Sequence, residues 1–240
     1  MLPLSDDNPR ILSPIVTVCL IAACILVFCW QVSLSDQEGT AAILSLGLIP
    51  ARIFGNAHLA PEVLATPAWV TIITSMFLHG GLLHIAGNML YLWVFGHSVE
   101  GAMGHSRFFV FYLVCGLAAA FAQVAANPSA TEPMIGASGA ISGVLGAYLV
   151  LYPKANIRTL VFLGIFVTVI RIPAFVILGL WFLVQFWNAL GPGSSEAEGV
   201  AVWAHVGGFI SGAILVLVLR RPEIELFQPA RFRPFTREGS

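Results

Sequence analysis

Ser138 stands in Gly136-Ala137-Ser138-Gly139, inside a stretch of small and apolar residues. His205 stands in a second apolar stretch, followed at intervals by Gly208 and Gly212. A third stretch carries His84 and Asn88, which are spaced i, i+4 and so share one face of a helix. A serine hydroxyl becomes a useful nucleophile when a base removes its proton, and histidine is the usual base. Backbone N–H groups at a helix start lack partners within the helix, so a serine there has oxyanion donors beside it. The chemistry expected is acyl transfer, with Ser138 as nucleophile and His205 as base. The oxyanion hole would comprise the Ser138 N–H, His84 and Asn88. Glu100 lies at the inner end of its stretch, and Glu132, Glu196 and Glu198 lie in outer loops. The expectation is therefore a Ser–His dyad without the orienting acid of the triad template.

The elements that must carry these residues follow from composition. Charged residues make up 10% of the 240, against about 25% in an ordinary soluble domain. Apolar residues make up 58%. So little charge cannot build a polar shell, so lipid is the expected solvent for most of the surface. The net charge of −1 gives no reason to expect a nucleic-acid partner. Cys19, Cys24, Cys29 and Cys115 lie in apolar runs without metal-ligand spacing and read as small hydrophobes. No HExxH motif is present, and the expectation is no metal and no cofactor.

Apolar runs near 20 residues cross a bilayer. The predicted spans are 14–32, 78–96, 107–126, 136–152, 173–190 and 203–219. This is an all-α, six-helix membrane domain over 14–220, between an N-terminal segment 1–13 and a C-terminal tail 221–240. Six spans put ten of the eleven basic residues on one side, with Arg52 alone opposite. The positive-inside rule then places both termini in the cytoplasm. Residues 155–170 are expected as an interfacial or re-entrant piece on the inner face, and 34–68 as a structured outer loop. His84 precedes Glu100, Ser138 precedes Lys154 and His205 precedes Arg221 by 16 residues each. At 1.5 Å per residue, all three lie roughly 24 Å above the inner charged boundary.

Each feature also has a plain structural reading. Serine in a small-xxx-small helix is usually a packing residue, and Gly139, Gly143, Gly208 and Gly212 have the spacing for close helix contact. A histidine in a span also serves as a proton relay or a structural hydrogen bond. A transporter or channel could use the same polar cluster, but the inner halves of these helices look closed. His79 reads as a loop anchor, and His58, His97 and His105 as solvated interfacial residues.

Taken together the motifs resemble the rhomboid family of intramembrane serine proteases, over nearly all the chain to Arg221. Phe77–Asn88 matches its HxxxxHxxxN pattern, Gly136–Gly139 its GxSG, and Ala204–Gly208 its AHxxG. Gly96, Glu100 and Gly104 match its GxxxExxxG, which implies a structural role for Glu100. The resemblance implies Ser138 and His205 as the catalytic pair, and His84 and Asn88 at the oxyanion hole. It also implies membrane-protein helices as substrates within a bilayer, and a gate and cap formed by residues 173–190 and 191–195. The sequence departs from the family at two places. Trp69 is followed by Val70 where the outer loop often has Trp-Arg, and Ser142 stands where an aromatic often packs on the catalytic histidine. Six spans without an organellar targeting segment point to a prokaryotic plasma membrane.

Overall fold

A computed structural model describes residues 2–60, 63, 66–163, 166–190 and 201–229. In chain order the elements are β1 (Leu2–Asp6), α1 (Ile15–Ser33), α2 (Asp36–Leu46), α3 (Pro50–Ile53) and α4 (Thr71–Thr74), then a 3-10 turn at Ser75–Phe77. There follow α5 (Leu82–Met103), α6 (His105–Ala126), α7 (Ser138–Leu151), β2 (Asn156–Leu163), β3 (Phe166–Pro173), α8 (Ala174–Leu190) and α9 (Val202–Leu219). The six long helices fall where the six spans are predicted. By length and apolar character, α1, α6 and α9 suffice to cross a membrane. α5 is long enough but carries His84, Asn88, His97 and Glu100, while α7 and the apolar part of α8 are shorter. At 14 residues, α7 rises only about 21 Å. The chain before it, residues 127–137 with Pro128 and Pro133, is irregular and leads into Ser138.

The lipid-facing surface is plain. Leu26, Leu83, Phe121, Trp187 and Val218 are each at least 70% exposed, which suits a hydrocarbon solvent and not water. The interior is close-packed around Phe95, Phe108, Phe111, Tyr112, Leu145 and Tyr148, all essentially inaccessible. Phe95 and Tyr148 meet edge-to-face, with ring centroids 5.0 Å apart.

The glycines of α7 and α9 bring these two backbones into contact. A methyl group on Gly208 would collide with the Gly139 carbonyl, and one on Gly212 with the Gly143 carbonyl. Backbone cannot rotate aside as a side chain can. Gly212→Ala is expected to cost about 1–3 kcal/mol or more, read as a lower Tm of the detergent-solubilised protein. Gly39→Ala, where nothing lies within 4 Å, should leave Tm unchanged or raised.

The fold is not all-α. β1, β2 and β3 form an antiparallel sheet in that order. Residues 155–170, expected as an interfacial or re-entrant piece, form most of the β2–β3 hairpin, with Arg158 opposite Arg171. Ile157, Thr159 and Val161 are buried, and Arg158 between them is exposed, the period-two pattern of a half-buried strand. The segment 1–13 is part of this body: Leu2 pairs with Leu160 and Asp6 with Ile157. The loop expected on the outer side holds α2, whose start is fixed by a reciprocal capping box between Ser35 and Glu38. At 11 residues it is far too short to span.

Asp6 fastens β1 to the bundle. Its side chain is 2% exposed and lies 3.1 Å from His97 Nε2. Its Oδ2 accepts from Ser98 Oγ at 2.7 Å, Tyr148 OH at 2.8 Å and Asn8 Nδ2 at 3.0 Å. His97, expected to be solvated, is instead largely enclosed by this contact. Burial pushes the Asp6 carboxyl up, but the hydrogen bond and charge of His97, with the Ser98 and Tyr148 hydroxyls, outweigh it. The net position is below the usual carboxylate value. A group whose acidity is raised by folding stabilises the fold above its ordinary pKa of about 4 and loses that contribution as pH falls through the lower, folded value. Asp6→Asn is therefore expected to lower Tm at neutral pH. The gap from wild type should close on acidification below about pH 4, checked by thermal melts across pH.

Candidate active site

Ser138 is the first residue of α7, preceded by Gly136 at φ +121, a conformation that side chains rarely allow. The approach to it is pinned from two sides. Gly136 N–H donates to the Ser75 carbonyl at 2.8 Å, and Met134 exchanges backbone hydrogen bonds with Leu48 at 2.7 and 3.0 Å. The loop that carries Leu48 lacks the Trp-Arg pair, and Trp69 is exposed. Arg52 anchors it instead, through Nη2 to the Thr66 carbonyl at 2.7 Å, aided by Thr74 Oγ1 to the Leu46 carbonyl at 2.6 Å.

His205 lies one turn into α9 and is 9% exposed. Its Nε2 lies 2.8 Å from Ser138 Oγ. The Gly–Gly contacts between α7 and α9 make that approach possible, since bulkier residues would hold the helices apart. Two residues that the sequence reading passed over complete the surroundings. Gln185 Oε1, from α8, lies 2.9 Å from His205 Nδ1. The Trp181 ring, also from α8, is centred 5.8 Å from the imidazole. Trp181 supplies the aromatic neighbour absent at position 142. Ser142 turns its hydroxyl back to the Ser138 carbonyl at 2.6 Å. The signal for Gln185 was an amide inside an apolar run, the same kind that singled out Asn88.

His84 and Asn88 meet the site through Gly136. A methyl built there would lie 2.8 Å from His84 Nε2 and 3.8 Å from Asn88 Nδ2. His84 Nδ1 accepts from the Gly80 N–H at 3.3 Å, so its proton sits on Nε2, facing the site. Asn88 is 8% exposed, and its Nδ2 is buried without a hydrogen-bond partner among the described residues. Ser138, His205, His84 and Gly136 line one cavity of about 360 Å³, walled on its apolar side by Met76 and Ala119. The small Gly139 packs against Ala119, where a methyl would stand 2.7 Å from its neighbour.

The remaining predicted residues lie elsewhere. Glu100 is fully buried and caps α1, accepting from Val16 N–H at 2.9 Å, Thr17 N–H at 2.8 Å and Thr17 Oγ1 at 2.7 Å. His105, expected as solvated, reaches the same carboxylate at 2.6 Å. His79 anchors its loop to α1, its backbone exchanging hydrogen bonds with the Gln31 amide at 3.0 and 3.2 Å. Among the described residues, no three His, Cys, Asp or Glu side chains are grouped to hold a metal. The expected cap at 191–195 lies outside the described residues.

A family model described as the Rhomboid domain matches residues 66–222. The rhomboid protease GluP of Bacillus subtilis is 33% identical over 166 residues, covering 69% of this chain and 29% of its own. Rhomboid protein 1, mitochondrial, of Saccharomyces cerevisiae is 34% identical over 156 residues, covering 60% of this chain and 40% of its own. The human presenilin-associated rhomboid-like protein, mitochondrial, is 33% identical over 150 residues, covering 61% and 35%. The chain thus spans well under half the length of these relatives. Because two of them are mitochondrial, the similarity lends no support to a prokaryotic plasma membrane in particular. A match over more than half its length makes this integral membrane protein a member of the rhomboid family.

Proposed function

We propose that this protein is a serine endopeptidase that hydrolyses peptide bonds in or near the membrane helices of other proteins, through a Ser138–His205 dyad. The observation that carries this reading is the 2.8 Å approach of His205 Nε2 to Ser138 Oγ, at a cavity enclosed by apolar helices. His205 takes the hydroxyl proton as Ser138 Oγ attacks the scissile carbonyl. The developing oxyanion is met by the Ser138 N–H at the helix start, by His84 Nε2–H and by Asn88 Nδ2. His205 then returns the proton to the leaving amine, and water deacylates the ester. A permeation pathway fits less well, because Val144, Leu145, Tyr148 and Leu151, farther along α7, are fully buried in apolar packing.

The same reading takes all six long helices as spans. The orientation has both termini on the side rich in Lys and Arg. In keeping with one basic end, Arg221 donates to the Gly101 carbonyl at 2.7 Å and Arg107 to the Arg220 carbonyl at 3.4 Å. The test is cleavage of a single-span model substrate in proteoliposomes, combined with a serine-directed fluorophosphonate and peptide mapping. Cleavage with the label on Ser138 is expected. A folded protein that neither cleaves nor labels would overturn the proposal.

A further inference from the structure

A base must present a lone pair, and a neutral imidazole has only one. For His205 to accept the Ser138 proton at Nε2, its own N–H must sit on Nδ1. That tautomer needs an acceptor at Nδ1 in an environment with little water. In the triad template a carboxylate fills this place. Among the described residues, the partners of the His205 ring nitrogens are Ser138 Oγ and Gln185 Oε1. The acceptor is an amide oxygen, held at 2.9 Å by a third helix.

Trp181 and Gln185 are one turn apart on α8 and so share a face. Gln185 meets the Nδ1 edge of the imidazole, and the Trp181 ring lies beside it, 5.8 Å between centroids and inclined at 45°. Together with Ser138 at Nε2, they leave the ring little rotational freedom.

Resting on the Ser138–His205 reading, we propose that Gln185 is the positioning residue of this site: its carbonyl oxygen accepts the Nδ1–H of His205 and fixes the tautomer in which Nε2 is the base. The amide has two ends with opposite effects. Turned the other way, its NH2 would donate to Nδ1, the imidazole proton would move to Nε2, and Ser138 would face a donor. The oxygen-facing arrangement is the one that activates. Unlike a carboxylate, a neutral amide fixes the tautomer without adding a charge to stabilise the imidazolium. That difference is what an experiment can read.

The experiment measures fluorophosphonate labelling of the 240-residue wild type, Gln185→Met and Gln185→Glu across pH. In each, the Ser138 proton passes to His205, Oγ bonds to phosphorus and fluoride leaves. Tm and monodispersity show that each variant is folded. Methionine keeps the shape of the side chain but can neither accept at this strength nor donate. Gln185→Met is expected to lower the bond-forming rate constant about tenfold to hundredfold with inhibitor affinity unchanged. Gln185→Glu, which can only accept, should keep at least wild-type labelling at alkaline pH. Its acid limb should move up by about one pH unit or more, because a carboxylate favours the imidazolium. Labelling of Gln185→Met at the wild-type rate would overturn the proposal. So would a Gln185→Glu protein as slow as Gln185→Met with its acid limb unmoved. A folded wild type that fails to label overturns the dyad itself, an outcome distinct from either.

Discussion

Ser138→Ala is expected to lower cleavage of a single-span substrate by about 10^4-fold or more, and His205→Ala by a similar factor. The two act as one unit, since the hydroxyl is inert without the base and the base has no proton to take without the hydroxyl. The double variant should therefore be no slower than either single one. The hydroxyl is small and partly exposed at a helix start, so its loss should leave Tm nearly unchanged. Cleavage by Ser138→Ala within a hundredfold of wild type would show that another group is the nucleophile.

The second large effect is at Asn88. Its Nδ2 is buried, lies near Gly136 and has no hydrogen-bond partner among the described residues. Such a donor costs the fold free energy, on the order of 1–3 kcal/mol. On the proposed mechanism it is used only when negative charge arises beside it. Asn88→Ala should thus lower kcat about 10^2- to 10^3-fold, the cost of one oxyanion donor, with little change in KM. The same substitution removes an unsatisfied amide, so Tm should hold or rise. Loss of activity with gain of stability separates a preorganised donor from a helix cross-link, whose removal would lower both. A fall in Tm with kcat intact would reverse the assignment.

What the sequence made legible and what it hid have a common physical cause. Ser138, His205, His84 and Asn88 stood out because a polar group within an apolar helix is costly, and that cost is visible locally. Gln185 carried the same signal, but a neutral amide does not stand out as an orienting group for a histidine in the way a carboxylate does. Trp181 was hidden more deeply, since a tryptophan in a membrane helix is unremarkable until its neighbour is known. The long helices were legible from apolar runs. The sheet was not. Thr159, Val161, Val167, Thr168 and Val169 are β-branched and favour a strand, but the segment is also apolar enough to pass for interfacial helix. Its partner β1 is some 150 residues away, a pairing to which no local pattern points. Likewise, His97 read as a solvated interfacial residue until the fold closed β1 and Asp6 over it.

That distance also bears on how the protein is made. During synthesis at about 5–20 residues per second, β1 emerges roughly 8–30 s before Asn156, the start of its partner strand, leaves the ribosome. Through that interval Leu2 and Leu4 form an unpaired edge, and Asp6 lacks Tyr148, the last of its side-chain partners to be translated. The strand that seals this end of the bundle precedes its partner by some 150 residues and can dock only after that partner is made, so slowing the ribosome between α6 and β2 should lengthen the time during which β1 is open to proteases and chaperones.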